Sequence, residues 1–389
     1  METPQKRILI TFGRSFLALQ LARQLSAAGH KVFIADSMRY HITRFSNKIT
    51  KNFYVPSPRF NAKGYVKVLV DIVEQEKIDL LIPIYEEISY LSKATHLFPK
   101  SCTLFFPDFD LYDQLHNKWS FQCKLDELGI KNLKKALIKN KEDLKTLDFK
   151  TPFALKACYS RASQKVKKVH PQDIPNDLKF ESHNPWIAQE WLDGERFCTY
   201  TICQNGEVCA HSVYPVGYTL DGNSCIAFQS IEHPGVLDWV KKFVKKINFT
   251  GQIAFDFIES KDNKIYAIEC NPRATSGLLL FNGADRLDRA FFKTTDKVIL
   301  PKVNAKRQIA FGMLLYGWRK ISIPNNNFFR FLKDLLTTKD VVLSPYDLKP
   351  VLFEPLILLN IMLNGKRYNL PIPDAFIYDH EWNGETITL

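Results

Sequence analysis

The 389-residue chain has no Cys-x-x-Cys pair. Its eight cysteines fall singly, and the tightest group, Cys198, Cys203 and Cys209, has no accompanying histidine pattern. A zinc site is therefore not expected, and the thiols read as reduced. Long apolar runs are lacking too. The opening METPQKRILITFGRS is broken by Gly13 and Arg14 before a signal-peptide core forms. The greasiest window, residues 351–363 (VLFEPLILLNIML), is short and holds Glu354, Pro355 and Asn360, which predicts a buried helix rather than a membrane span. These absences lead us to expect a cytoplasmic protein with no membrane partner. Glycine is missing where a dinucleotide site needs it. The first strand-to-helix turn, Phe12-Gly13-Arg14-Ser15-Phe16, has one glycine where the NAD fingerprint requires three, so the backbone cannot approach a pyrophosphate in the usual way. There is no internal repeat and no low-complexity segment.

What is present describes an ordered globular protein of two or three domains, 46% hydrophobic and 13% aromatic. The net charge is +12, with lysine dense in 131–168 and again at Lys241, Lys242, Lys245 and Lys246. Nucleic acid would neutralise such a surplus, but no recognition module or aromatic-basic interleaving stands out. A small polyanion such as a nucleotide is equally served, and runs of charge also mark solvated faces.

The first hundred residues alternate strand and helix. Residues 6–12 (KRILITF), 31–35 (KVFIA) and 79–84 (DLLIPI) read as strands, 16–28 and 65–76 as helices, giving a parallel βαβαβ unit. Residues 107–129 read as an amphipathic helical stretch ending at Gly129. Strands follow at 152–157 (PFALKA) and 186–191 (WIAQEW), then a hairpin, 199–203 with 208–213, around Asn205-Gly206. Residues 237–247 form a helix with Phe243, Val244 and Ile247 inward. Beyond Pro301 the stretches 328–336 and 352–363 look helical, but nothing there resembles a site.

The segment richest in chemistry is 251–273, GQIAFDFIESKDNKIYAIECNPR. It reads as two strands joined at the polar 261–264, apolar on one side through Ile253, Phe255 and Phe257, then Tyr266, Ile268 and Cys270. A two-residue turn at Asp262-Asn263 would set Asp256 directly opposite Glu269, with Cβ atoms about 4.5–5.5 Å apart. Asn271 shares their face by the period of two, and small Ala254 and Ala267 would leave room beside them. Two facing carboxylates repel unless a cation lies between them; a hard divalent ion, Mg²⁺ above all, suits three oxygen ligands. Asn-Pro-Arg then aims Arg273 back toward the acids. Upstream, Lys156 lies on an otherwise apolar strand, where a lysine is costly to bury unless it meets an anion. Glu86 and Glu87 follow the third strand, where open α/β sheets carry ligand-contacting loops; they could face an acceptor amine or simply begin a helix.

The order Lys118, Lys156, Q-E-W-L-D-G-E (189–195), Asp256 and E-x-N-P-R (269–273) resembles the ATP-grasp superfamily, in particular its carbamoyl-phosphate-synthase-like and carboxylate–amine ligase members. The resemblance covers about residues 6–300. It implies a mixed α/β and α+β fold: an N-terminal parallel βαβ domain (1–114), then a two-lobed ATP-grasp domain with antiparallel sheets (115–300; small lobe about 130–190, large lobe about 191–300), and a partly helical C-terminal extension (301–389). It implies that Lys118 and Lys156 grip ATP phosphates and that Gln189, the Glu190 carbonyl and the Leu192 N–H read adenine beside Trp191. Glu195 would hold the ribose; Asp256, Glu269 and Asn271 would bind Mg²⁺, with Mn²⁺ an alternative. Arg273 and Lys156 would serve catalysis. One departure stands out: residues 157–163 (ACYSRAS) hold no glycine where the superfamily has a glycine-rich loop, leaving Ser160, Arg161 and Ser163 as substitute phosphate donors. The implied activity is an ATP- and Mg²⁺-dependent ligase that activates a carboxylate as an acyl phosphate for attack by an amine, both small molecules. A catalytically silent ATP-binding regulator and a basic nucleic-acid-binding protein are the alternatives, and a homo-oligomer is left open.

Overall fold

The computed structural model describes residues 4–161, 166–175, 178–219, 225–320 and 328–389. Five strands, β1 (Arg7–Ile10), β2 (Lys31–Asp36), β3 (Lys51–Tyr54), β4 (Leu80–Ile82) and β5 (Thr103–Leu104), pair in parallel in the order β3-β2-β1-β4-β5. Helices α1 (Phe16–Ala27), α2 (Ala62–Gln75) and α3 (Ile88–Lys93) connect and cover them. The three expected strands are β1, β2 and β4. The two edge strands escape a hydropathy reading because β3 is half polar and β5 has two residues.

In such a sheet a crevice opens beyond the carboxyl ends of β1 and β4, where the winding reverses. Here the rest of the chain fills it. Ile10, Ile82, Ile84 and Tyr85 share one core with Tyr200, Ile202, Ala274 and Leu278, and Gln252 donates to the Pro83 carbonyl at 2.8 Å. Gly13 serves packing: a Cβ there would lie 2.4 Å from Ile34 Cγ2. The neighbouring Arg14 is buried in a fork on Asp36, with Nη2–Oδ1 at 2.6 Å, and reaches Asp379 at 2.8 Å.

The stretch 107–129 is two helices, α4 (Phe109–His116) and α5 (Lys118–Glu127), not one. Asn117 is extended between them, and its side chain accepts from the N–H groups of Trp119 and Ser120. The small lobe follows: β6 (Lys135–Ile138), α6 (Lys141–Lys145), β7 (Phe153–Ala157), β8 (Val166–Val169) and β9 (Trp186–Glu190), an antiparallel sheet in the order β6-β9-β7-β8. In the large lobe, β10 (Gly194–Gln204) and β11 (Glu207–Pro215) turn at Asn205-Gly206, both at positive φ as the expected hairpin requires. Next come β12 (Ala227–Gln229), α7 (Pro234–Lys246), β13 (Gly251–Ser260) and β14 (Ile265–Asn271). The main sheet runs β11-β10-β13-β14, with Val240, Phe243 and Val244 of α7 packed on Phe255 and Phe257.

The C-terminal part comprises α8 (Asp288–Phe292), β15 (Lys306–Gln308), α9 (Ala310–Tyr316), α10 (Phe328–Thr337), β16 (Lys339–Asp340), α11 (Lys349–Leu352), α12 (Glu354–Tyr368) and α13 (Ile372–Ile377). Strand β15 pairs with β12, joining this part to the large lobe. The helix expected to be buried, α12, is not: Ile357 and Ile361 face inward, but Leu356, Leu359, Met362 and Leu363 are exposed, because only one side of the helix has a neighbour. No described helix is long and apolar enough to cross a membrane. The final residues return to the first domain, where Trp382 is buried among Phe109, Tyr112 and Tyr159.

Candidate active site

Asp256 lies opposite Glu269, and Ala254 opposite Asn271, so the three expected ligands share one face. The route differs from the expected one. Ser260 N–H bonds to the Lys264 carbonyl at 3.0 Å, closing a three-residue loop, 261–263, with Asn263 at φ 56°. That shifts the pairing by one residue, and an unpaired Ile268 shifts it back between Asp256 and Phe257. The bulge also corrects one expectation. Ala267 is opposite Phe257 in the apolar core, while Tyr266, opposite Ile258, takes the acid side.

The two lysines arrive from different elements. Lys156 is central in β7 and buried; its ammonium donates to Gln189 Oε1 of β9 at 2.8 Å. Lys118 is the first residue of α5, and its N–H bonds to the Cys158 carbonyl at 3.0 Å. Its ammonium, buried as well, sits 3.3 Å from Glu269 Oε1 and 2.5 Å from the Ser160 carbonyl. The helix break at Asn117 therefore starts α5 with Lys118, whose ammonium reaches Glu269. Arg273 spans the acid face: Nη2 donates to Asn271 Oδ1 at 3.0 Å, and the guanidinium lies 4.7 Å over the Tyr85 ring.

The remaining expected residues divide. Gln189 is in place, with its Nε2 buried and unpartnered among the described residues. The Glu190 and Trp191 N–H groups are taken by the Lys134 and Pro152 carbonyls, and the half-buried Leu192 follows them at the link between the lobes. Lys168 lies 4.6 Å over the Trp191 ring. Glu195 does not reach the acid face. Link 191–193 ends β9, and β10 restarts the alternation: Glu195 is opposite Glu259, whereas Arg196 and Cys198 are opposite Ile258 and Asp256. Gly194 is needed there because a Cβ would lie 2.1 Å from the Glu259 carbonyl oxygen. Arg196 and Cys198 are thus site-facing residues absent from the sequence-based expectations; alternation about the buried Phe197 is the signal that would have found them.

Arg161 is not free to take phosphate. It is buried, forked on Glu86 at 2.9 and 2.6 Å, and donates also to the Trp382 carbonyl and Asn383. Ser160 donates its hydroxyl to the Ala157 carbonyl; Ser163 lies outside the described residues. Glu86 and Glu87 are both fully buried, so neither awaits an amine at the surface. Burial would raise the Glu86 carboxyl, but Arg161, His116 and Arg273 outweigh it and hold it down at about 2. Glu87 accepts from Thr11 and from the Ile84 and Tyr85 N–H groups.

The electrostatics fit a cation facing a polyanion. Loss of water and the facing Glu269 push the Asp256 carboxyl up to about 6. Loss of water lowers the Lys156 ammonium to about 8 against the pull of Glu269, with Lys118 pushing it further down. Two carboxylates strained by proximity gain from a divalent ion, and two desolvated ammoniums gain from phosphate. Among the described residues no three His, Cys, Asp or Glu side chains cluster as a metal site. The donor set here is two carboxylates and an amide, which leaves coordination positions for phosphate oxygens or water.

The ATP-grasp domain family matches residues 115–277. The arginine-specific large chain of carbamoyl phosphate synthase from Geobacillus stearothermophilus is 22% identical over 261 residues, covering 63% of this chain and 25% of the relative. The chain therefore spans about a quarter of that relative's length. Among solved structures, carboxyaminoimidazole ribonucleotide synthase from Aspergillus clavatus, complexed with ATP, superposes with a TM-score of 0.60 at 14% identity over 82% of this chain and 87% of that one. L-amino acid ligase from Bacillus licheniformis superposes with a TM-score of 0.55 at 15% identity over 71% and 68%. At these identities the likeness is one of fold. Residues 115–277 are an ATP-grasp domain, in a chain homologous to carbamoyl phosphate synthase large chains.

Proposed function

We propose that the cleft between the lobes binds Mg·ATP and that the protein is a ligase joining a small-molecule carboxylate to an amine. The observation that carries this reading is the convergence of buried Lys118 and Lys156 on the paired Asp256 and Glu269. Asp256, Glu269 and Asn271 would hold Mg²⁺, which when bound neutralises phosphate oxygens. Lys118 and Lys156 hold phosphate charge, Gln189 and the 190–192 link flank the base, and Arg273 steadies the phosphoryl group in transfer. A substrate carboxylate oxygen bonds to the γ-phosphorus as the bond to ADP breaks. The amine nitrogen then bonds to the acyl carbon, phosphate leaves, and the amine loses a proton. The similar proteins include an L-amino acid ligase and an ATP-bound carboxyaminoimidazole ribonucleotide synthase, which supports this reaction class.

Calorimetric titration with ATP, with and without Mg²⁺, tests the site. Asp256→Ala with Glu269→Ala should weaken Mg·ATP on the order of a hundredfold; unchanged affinity would refute the assignment of the site, whereas no Mg²⁺-dependent ATP binding by the wild type would favour the nucleic-acid reading. One observation favours a silent ATP-binding regulator as the second reading: Ser160 and Arg161 spend their donors internally. Phosphate release on presenting carboxylates with amines separates the two, and its absence across a broad panel selects the regulator.

A further inference from the structure

Helices α9 and α10 form a hairpin in which more large apolar side chains face out than in. Its inner core is Met313 and Phe331 against Ile226, with Tyr218, Tyr316 and Leu335 partly buried around them. Phe311, Leu314 and Leu315 on α9, and Trp318 on the turn that follows it, are all exposed. Their spacing is i, i+3, i+4, i+7, one continuous helical stripe. On α10, Phe329, Leu332 and Leu336 repeat at i, i+3, i+7, with Phe329 80% and Leu336 74% exposed. Single exposed leucines are ordinary; two helices with a second, regular apolar stripe are not. The hairpin is held at its base. Asp340 accepts from the Ala310 N–H at 2.9 Å, Gln308 donates to the Leu335 and Thr338 carbonyls at 2.7 and 2.8 Å, and the Phe331 ring closes on Gly317. Residues 321–327, between the two helices, lie outside the described ones.

Charge identifies what covers this face. Residues 301–340 hold eight lysines and arginines against two acids, Asp334 and Asp340, a net +6 out of the chain's +12. Asp334 is itself bonded to the Tyr218 hydroxyl. A second copy would bring +6 against +6 across a symmetric contact, which repels. Protein interfaces are poor in lysine, whereas Lys306, Lys333 and Lys339 are exposed around these stripes. Aromatic and leucine side chains interleaved with cations match a bilayer surface, where rings sit at headgroup level and cations meet anionic lipid.

We propose that the α9–α10 face lies in the interfacial zone of an anionic phospholipid bilayer, placing the ligase at a membrane surface without spanning it. Flotation of the full chain tests this, using vesicles of phosphatidylcholine alone and with roughly a third phosphatidylglycerol. The chain should float with the anionic vesicles and much less with the neutral ones. Phe329→Glu with Leu336→Glu should cut the bound fraction about tenfold or more, and Lys333→Glu should weaken binding at low salt and less at high salt. Both positions are exposed, so Mg·ATP affinity should be unchanged, which verifies folding. The proposal is overturned if the wild type does not float with anionic vesicles or if the double variant floats equally well. It is also overturned if sedimentation shows a dimer that the same substitutions dissociate, which would make the face a contact between copies.

Discussion

At the scale of single residues, the site is governed by two shifted groups of opposite sign. Burial and the facing Glu269 raise the Asp256 carboxyl to about 6, and burial lowers the Lys156 ammonium to about 8, so under the proposed function acid removes a metal ligand and base removes a phosphate partner. Both charged forms coexist only between these values. Mg·ATP affinity should therefore be greatest from about pH 6 to about pH 8 and fall on either side, as calorimetry across that range would show. Lys156→Arg keeps its charge in base, so the alkaline fall should vanish and the acid one persist; an unchanged alkaline limb would assign it elsewhere. The sequence alone marked Lys156, because a lysine on an apolar strand has few reasons to be there. Lys118 was marked only by the family resemblance, and Arg161 could not be rejected. Whether an arginine meets phosphate or a buried glutamate depends on Glu86, 75 residues away in sequence.

At the scale of elements, small irregularities set the aim of the functional side chains. The cap at Asn117 interrupts what looked like one helix and starts α5 with Lys118 in the cleft. Asn117→Ala should cost about 1 kcal/mol in denaturant unfolding and, by loosening that first turn, weaken Mg·ATP more than an equally destabilising change at the far end of α5. The acidic hairpin offers a second case. Its paired carboxylates were legible from alternation and turn residues, but a longer loop and the Ile268 bulge cancel, so the right pairing rests on different geometry. A bulge carries no composition signal, and only the ladder of hydrogen bonds shows it. The same limit applies after the expected strand at 186–191: only the backbone shows that β10 begins at Gly194 and sets Glu195 opposite Glu259.

At the scale of the whole molecule, the C-terminal tail is part of the cleft's frame. Trp382 is buried against Tyr159 and Tyr112; its N–H reaches Glu86, and its carbonyl accepts from Arg161. Through that pair the tail ties the parallel-sheet domain to the loop after β7. Trp382→Ala should destabilise by about 3–5 kcal/mol, seen as a lowered unfolding midpoint. It should also loosen loop 157–161, measurable as faster amide exchange there than in β13. Equal exchange in both would mean that the tail stabilises globally without framing the loop.

Periodicity and residue chemistry alone determined the alternation of elements, the two antiparallel hairpins and the presence of Asp256, Glu269 and Asn271 on paired strands, because each follows from neighbours close in sequence, while their facing also needed the loop and the Ile268 bulge to cancel. Tertiary structure alone decided which cations remain available to a ligand, which side of α12 is covered, and that the chain after 301 pairs with β12 in a small sheet of its own, packs its tail against loop 158–161 and carries an outward apolar face. Those outcomes depend on burial and pairing between segments far apart in the chain, where a residue's role is set by what folds against it.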